Sequence, residues 1–229
     1  MLYIVATPIG NLDDLSLRQA KTLVSSDIIL AEDTRSANIL LEAIQKRFKD
    51  LQPKTADLKI VSYYKEKEFE KLPQVIEWLK EGKNVSLISE SGVPLISDPG
   101  YLLVKTVIKE KIPFTVIPGA TAISTAIVHS GLPAKEFAFL GFFPKRESEK
   151  IKLINKLKAI KEFLPEMIFV FFESGQRINE TLKLWAGSGW NPDLAICREL
   201  TKKFEEILRG KVSELTDKQF KGEITVVVR

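Results

Sequence analysis

VSLI (Val85–Ile88), SESGVPLISDPG (Ser89–Gly100) and YLLVKTVIKE (Tyr101–Glu110) follow one another without a break. The first is a short apolar run of strand length and the third has helical spacing. Between them lies a loop of Gly, Pro, Ser and Asp. A buried strand that opens directly into such a loop and then into a helix is the repeating unit of α/β proteins, which bind ligands at the carboxyl edge of the sheet. The same alternation extends in both directions. Upstream, LYIVAT, DIILAE and KIVSYY read as strands, and SLRQAKTLV, SANILLEAIQKR and EFEKLPQVIEWLKEG as helices, with Asp33 or Thr34 as an N-cap and a polar stretch around Pro53. Downstream, PFTVI ends at PGATA, and this succession predicts a mostly parallel sheet covered by helices.

From Gly119 the pattern starts afresh. A helix through Val128 precedes the strand FAFLGFF, a lysine-rich helix, the apolar strand MIFVFFE and the helix QRINETLKLWA. DLAICREL, FEEILRG and EITVVVR then read as strands, the last two separated by a short helix over VSELTDKQF. The closing strands imply antiparallel pairing, so the second sheet is expected to be mixed. The expected domains are residues 1–117 and 118–229.

Composition removes several functions. With one cysteine, Cys197, and one histidine, His129, neither an internal disulfide nor the usual Cys/His zinc site can be assembled, and no metal is expected. His129, in the helix-like TAISTAIVHSG, reads as a structural or surface residue. No apolar run reaches the roughly 20 residues that span a bilayer, and MLYIVATPIGN lacks the basic opening of a secretory signal, so a cytoplasmic location and no membrane partner are expected. TPIGN after the first strand has a single glycine and is not a dinucleotide fingerprint. GKN at Gly82 and GKV at Gly210 do not complete a P-loop.

The net charge of +4 points toward an anionic partner. Lysines crowd PKRESEKIKLINKLKAIK (Pro144–Lys161), most of which reads as a solvated amphipathic helix, while the loop with Lys145 and Arg146 before it is placed to touch phosphates. Six polar loops fall at expected strand ends: TPIGN, EDTR (Glu32–Arg35), SESGVPLISDPG, PGATA (Pro118–Ala122), FFESGQR (Phe171–Arg177) and CRELTKKFEE (Cys197–Glu206). Singly they are turns; six together predict a site.

VATPIGNLDDLSLRQAKTL, EDTR, PLISDPG, the P-G-small-small-A at Pro118 and RELTKKFEE followed by RG resemble the ribosomal RNA small-subunit methyltransferase I family of the tetrapyrrole methylase superfamily. The resemblance runs from residue 2 to the KGE at Lys221. It implies a two-domain α/β tetrapyrrole methylase-like (class III methyltransferase) fold, with S-adenosylmethionine folded in a cleft between the domains. It also implies a homodimer and 2′-O-methylation of a cytidine in the decoding region of 16S ribosomal RNA, with the small ribosomal subunit as partner. Cofactor contacts are carried onto Pro8, Gly92, Val93, Leu95, Ile96, Gly119, Ala120, Thr121, Ala122 and Phe172. The first half of the opening loop departs from the family's S-D-A-G-T-P, SYYKEKE (Ser62–Glu68) stands where S-x-H-E-H-N-E is usual, and ESGQR at Glu173 replaces E-S-P-H-R.

A ribose hydroxyl is a poor nucleophile at neutral pH and calls for a base. Asp33 and Glu173 are the candidates, with Glu32 and Glu199 behind them, although each carboxylate equally suits an ion pair with a neighbouring arginine. Arg35, Arg177, Arg198 and Lys202, together with Lys145 and Arg146, are expected to steady RNA phosphates. Two other readings stay open: a small-molecule methyltransferase of the tetrapyrrole type, and an RNA-binding relative without catalysis.

Overall fold

The computed structural model describes residues 1–51, 58–216 and 218–229. The stretch around Pro53 and the Asp217 position of VSELTDKQF lie outside them. The chain forms two compact units, Met1–Thr121 and Ala122–Arg229.

In the first unit, β1 (Leu2–Val5), β2 (Ile28–Ala31), β3 (Lys59–Ser62), β4 (Val85–Ile88) and β5 (Phe114–Ile117) form one sheet in the order β3-β2-β4-β1-β5, all parallel. The apolar runs are continuous because both faces are covered. Val5, Ile29, Ala31, Ile88 and Ile117 pack with α1 (Leu17–Val24) and α2 (Thr34–Arg47). Leu2, Ile4, Leu30, Val85 and Leu87 pack on the other face with α3 (Lys65–Lys80) and α4 (Tyr101–Lys109). β1 and β4 are neighbours whose chains leave for strands on opposite sides, β2 and β5 respectively. Such a reversal opens a crevice at the carboxyl ends of the two strands.

Helix ends explain several loop residues. α1 starts with a capping box in which the Ser16 hydroxyl accepts from Gln19 N (3.2 Å) and Gln19 Oε1 accepts from Ser16 N (2.6 Å). Gln19 Nε2 then donates to Ala6 O at the end of β1 (2.8 Å). Gly119 has no room for a side chain, since a Cβ there would lie 2.1 Å from that same amide nitrogen. Asp33 caps α2, accepting from Arg35 N (2.8 Å). α4 opens on Gly100, which offers no side-chain oxygen, and its free N–H groups are met from another helix: Glu68 Oε1 accepts from Leu102 N (2.9 Å) and Leu103 N (3.2 Å).

The second unit contains α5 (Ala122–Ser130), β6 (Phe137–Phe142), α6 (Glu147–Phe163), β7 (Ile168–Ser174), α7 (Ile178–Gly187), β8 (Asp193–Arg198), β9 (Glu206–Lys211) and β10 (Glu223–Val228). Its sheet runs β6-β7-β10-β8-β9, with β6 parallel to β7 and the other pairs antiparallel. The mixed sheet expected from the closing strands is present. Two elements differ by three residues or more at one end: α3 starts at Lys65 rather than Glu68, and among the described residues of VSELTDKQF only Val212–Glu214 is helical, as one 3-10 turn. The core cluster of this unit is aliphatic around an aromatic group, with Trp185 fully buried and its ring 6.0 Å from Phe171 and 5.9 Å from Phe143.

Truncating Glu68 to Ala removes the α4 cap and a partner of the buried Tyr63 hydroxyl, 3.4 Å away. Urea unfolding is expected to show a loss of about 1 to 2 kcal/mol, the usual cost of a lost cap. A loss no larger than that of an exposed control such as Glu70→Ala would show that α4 is capped otherwise.

Candidate functional site

The loops after β1 and β4 are fastened by main chain. Thr7 N donates to Gly92 O (2.8 Å), Gly92 N donates to Thr7 O (3.2 Å), and the Thr7 hydroxyl reaches Ser89 O (3.2 Å). This isolated antiparallel bridge closes the base of SESGVPLISDPG. Gly92 sits at φ 86°, where other residues are strained. Beyond it, Leu95 (φ 72°) and Ser97 (φ 70°) occupy the same left-handed region without being glycine. Each costs about 1 to 3 kcal/mol and persists only where the surroundings dictate it, a pattern that gathers at ligand-holding loops.

The residues expected to touch cofactor divide into groups. Pro8 and Gly92 are buried at the bridge, Val93 and Ala120 are half-buried, and Ile96 is exposed. Leu95 does not form an open wall: its side chain packs with Leu87 beneath Gly100, leaving its main chain to the loop surface. Ala120 O lies 3.7 Å from where a Cβ on Gly92 would stand, so PGATA and the opening loop are adjacent. Gly119 and Thr121 belong to that strip. Ala122 begins the second unit, and Phe172 stands there in an aromatic group with Phe139 (4.9 Å) and Phe142 (5.4 Å).

Carboxylates gather at the same sheet edge. Burial first, then the charges of Glu32 and Glu90, push the Asp98 carboxyl up to about 6 against the pull of a hydrogen bond with Ser89. Glu32 is raised as well, by burial and then by Glu90 and Glu66. In the sequence Asp98 is one loop residue among several, because its burial and acidic neighbours arise only when the β2 and β4 loops converge. Asp33 stands apart. Hydrogen bonds from the Arg35 guanidinium (2.7 Å at the closest) and main chain hold its carboxyl below the usual range, which makes it a weak proton acceptor.

The second unit places Glu173 in a buried polar network rather than on a surface. It is 2% exposed, with Arg177 Nη2 at 2.5 Å and Thr181 Oγ1 at 3.5 Å. Burial raises its carboxyl against the opposing charges of Arg177 and the fully buried Lys150, whose ammonium lies 2.8 Å from Glu180. Such a hub ties β7 to α6 and α7 and leaves Glu173 little access to a substrate. Two expected phosphate ligands are also engaged internally: Arg198 pairs with Glu206 (3.0 Å), and Lys202 bridges Glu199 (3.2 Å) and Glu223 (2.6 Å). Arg35, Lys145 and Arg146 are exposed. His129 lends its main-chain oxygen to Arg209 at the end of α5 (2.8 Å from Nε), and the Cys197 thiol is pushed up to about 12 by burial. Among the described residues no group of three or more His, Cys, Asp and Glu is arranged to hold a metal, and no helix is long and apolar enough to cross a membrane.

Residues 1–216 match the tetrapyrrole (corrin/porphyrin) methylase family model. The "Ribosomal RNA small subunit methyltransferase I" of Halalkalibacterium halodurans is 39% identical over 99% of this chain and 75% of its own length. That of Thermotoga maritima is 38% identical over 99% and 97% respectively. The chain belongs to this family of tetrapyrrole methylases. It is a methyltransferase, and its cofactor is S-adenosylmethionine. Among solved structures, diphthine synthase matches at TM-score 0.70 with 14% identity, covering 100% of this chain and 90% of that one. Uroporphyrin-III-C-methyltransferase from Thermus thermophilus matches at TM-score 0.62 with 19% identity, covering 99% and 93%. These two share the tetrapyrrole methylase fold.

The residues at the first sheet edge fit that cofactor. Its sulfonium and amino groups are cationic, and carboxylates that raise one another's pKa are relieved by a nearby cation. Left-handed turns and small residues bring main chain to the surface, where the polar parts of a nucleoside and an amino acid can be met.

Because the folded chain favours protonated Asp98, its stabilising contribution is complete below the ordinary 3.8 and is lost as pH rises through about 6. The Asp98→Asn variant lacks this loss. Its unfolding midpoint relative to wild type should therefore climb between pH 4 and pH 7 and then level off. A constant offset across that range would contradict the placement of Asp98.

Proposed function

We propose that the enzyme transfers the methyl group of S-adenosylmethionine to the 2′-hydroxyl of a cytidine in the decoding region of 16S ribosomal RNA. In this reading it acts as a cytoplasmic homodimer on the small ribosomal subunit, and its domains divide at 117 and 118. The observation that carries the reading is the similarity, over 99% of this chain, to enzymes named for small-subunit ribosomal RNA, at 38 and 39% identity. The exposed cations Arg35, Lys145 and Arg146 support an RNA partner.

The cofactor, when bound, supplies a methyl group on a positively charged sulfur. The protein's part is to hold, orient and manage one proton. The bridge between Thr7 and Gly92 fixes the two loops that flank the crevice, and Gly92, Val93, Ile96, Gly119, Ala120 and Thr121 offer main chain and small side chains to the cofactor. Leu95 contributes through its backbone. Pro8 packs below this strip, and Ala122 and Phe172 remain assigned to cofactor contact on the second unit's own surface. Positioning of this kind is worth up to roughly 7 to 11 kcal/mol.

Asp98 accepts the proton of the ribose hydroxyl. A carboxyl near 6 is ionised at neutral pH yet is a better base than one of ordinary strength. Asp33, considered first for this role, serves instead to cap α2 and to hold Arg35 toward phosphate. Glu173 keeps Arg177 and Lys150 in place.

Transfer of tritiated methyl groups into purified small ribosomal subunits tests the reading. One position is expected to become resistant to alkaline cleavage, the mark of a blocked 2′-hydroxyl. Asp98→Asn should lower kcat, read at saturating cofactor, by about 100-fold or more, the range typical of a lost general base. Label on a base, or Asp98→Asn at full activity, would overturn the substrate or the base assignment respectively.

A further inference from the structure

The turn between β8 and β9, residues 199–205, is organised more tightly than its exposure demands. Glu199 (φ 50°) and Thr201 (φ 64°) both take the left-handed conformation without being glycine. Glu199 N donates to Glu223 O (3.0 Å), Lys202 N to Glu199 O (3.0 Å) and Glu205 N to Lys202 O (3.1 Å). Side chains repeat the bracing: Glu199 Oε1 accepts from Glu223 N (2.9 Å) and from the Lys202 ammonium, and Glu205 Oε2 accepts from Thr201 N (2.6 Å). Gly222 makes space for this, since a Cβ there would lie 2.4 Å from Glu199 Oε1.

The turn so fixed consumes the charge of Lys202 and presents Phe204. That ring is 64% exposed, and the Lys203 ammonium stands 5.6 Å from its centroid. The braced backbone fixes the turn from which this ring stands in water beside a cation.

We propose that Phe204 is a stacking platform for an unpaired base of the RNA substrate, with Lys203 reaching the adjoining phosphate. The inference rests on the RNA reading above. An aromatic face accepts any base, and a neighbouring cation follows the backbone, so the pair suits single-stranded RNA. Lys202, the expected phosphate ligand of this segment, acts inside the turn and sets the position of Phe204.

Steady-state methyl transfer to small ribosomal subunits by the full chain tests this. Phe204→Ala should raise KM for the subunit about tenfold, with kcat and S-adenosylmethionine affinity unchanged. Phe204→Trp should restore the wild-type value, and Phe204→Leu, apolar but without a π face, should behave as the alanine variant does. Lys203→Ala should flatten the dependence of affinity on salt, whereas Phe204→Ala should leave that slope as it is. Wild-type KM in Phe204→Ala, or recovery by Phe204→Leu, overturns the stacking role while leaving the RNA reading intact. A wild-type enzyme that labels no subunit overturns both.

Discussion

The two hydrogen bonds between Thr7 and Gly92 are the constraint on which the first unit's site depends. Parallel strands cannot be joined by short turns, so loops at one sheet edge come from distant parts of the chain and need some tie of their own. The order β3-β2-β4-β1-β5 places the ends of β1 and β4 side by side, and the bridge turns that adjacency into a fixed geometry. With Gly92 held, the chain must pass over Pro94 and through two left-handed residues before it can start α4 at Gly100. The strain at Leu95 and Ser97 is then a consequence of anchoring both ends of the loop, and it keeps Asp98 among Glu32, Glu90 and Ser89.

Most of the architecture was legible in the sequence because the apolar runs were unambiguous. VSLI, DIILAE and MIFVFFE are strands buried on both faces, and each is bounded by turn residues. The functional loops were also legible, as clusters of Gly, Pro and Asp at strand ends. What the sequence concealed was the partner of each charged side chain. Asp33 and Arg35 are near neighbours, and their pairing was an open alternative from the start. Glu173 reads as a candidate base in a polar loop at a strand end but is enclosed by Arg177, Thr181 and Lys150, the last from a helix that reads as solvated. Glu68 lies in SYYKEKE, which stands where the family usually has S-x-H-E-H-N-E; the structure uses it to cap a helix 34 residues away. Asp98 was hidden for the opposite reason, since nothing local distinguishes it from a turn aspartate.

Charge is distributed in two ways across the chain, and the difference is chemical. At the first sheet edge carboxylates crowd one another and are raised in pKa, an arrangement that is costly alone and relieved by a cation. In the second unit carboxylates and basic groups neutralise each other in networks around Glu173 and around Glu199, which stabilise turns and orient side chains. Counting lysines and arginines from the sequence therefore overstates the charge free to meet RNA. The residues left for that task are those the networks do not use.

The central claim, that the carboxylates beside the bridge hold a cationic cofactor, is tested most directly by calorimetric titration of the wild-type enzyme with S-adenosylmethionine and S-adenosylhomocysteine at pH 5 and pH 8. The two ligands differ at sulfur in a methyl group and its positive charge. Because Asp98 ionises near 6 and Glu32 is raised with it, the preference for the charged ligand should grow as pH rises. A preference that is the same at both values, or absent, would contradict the account.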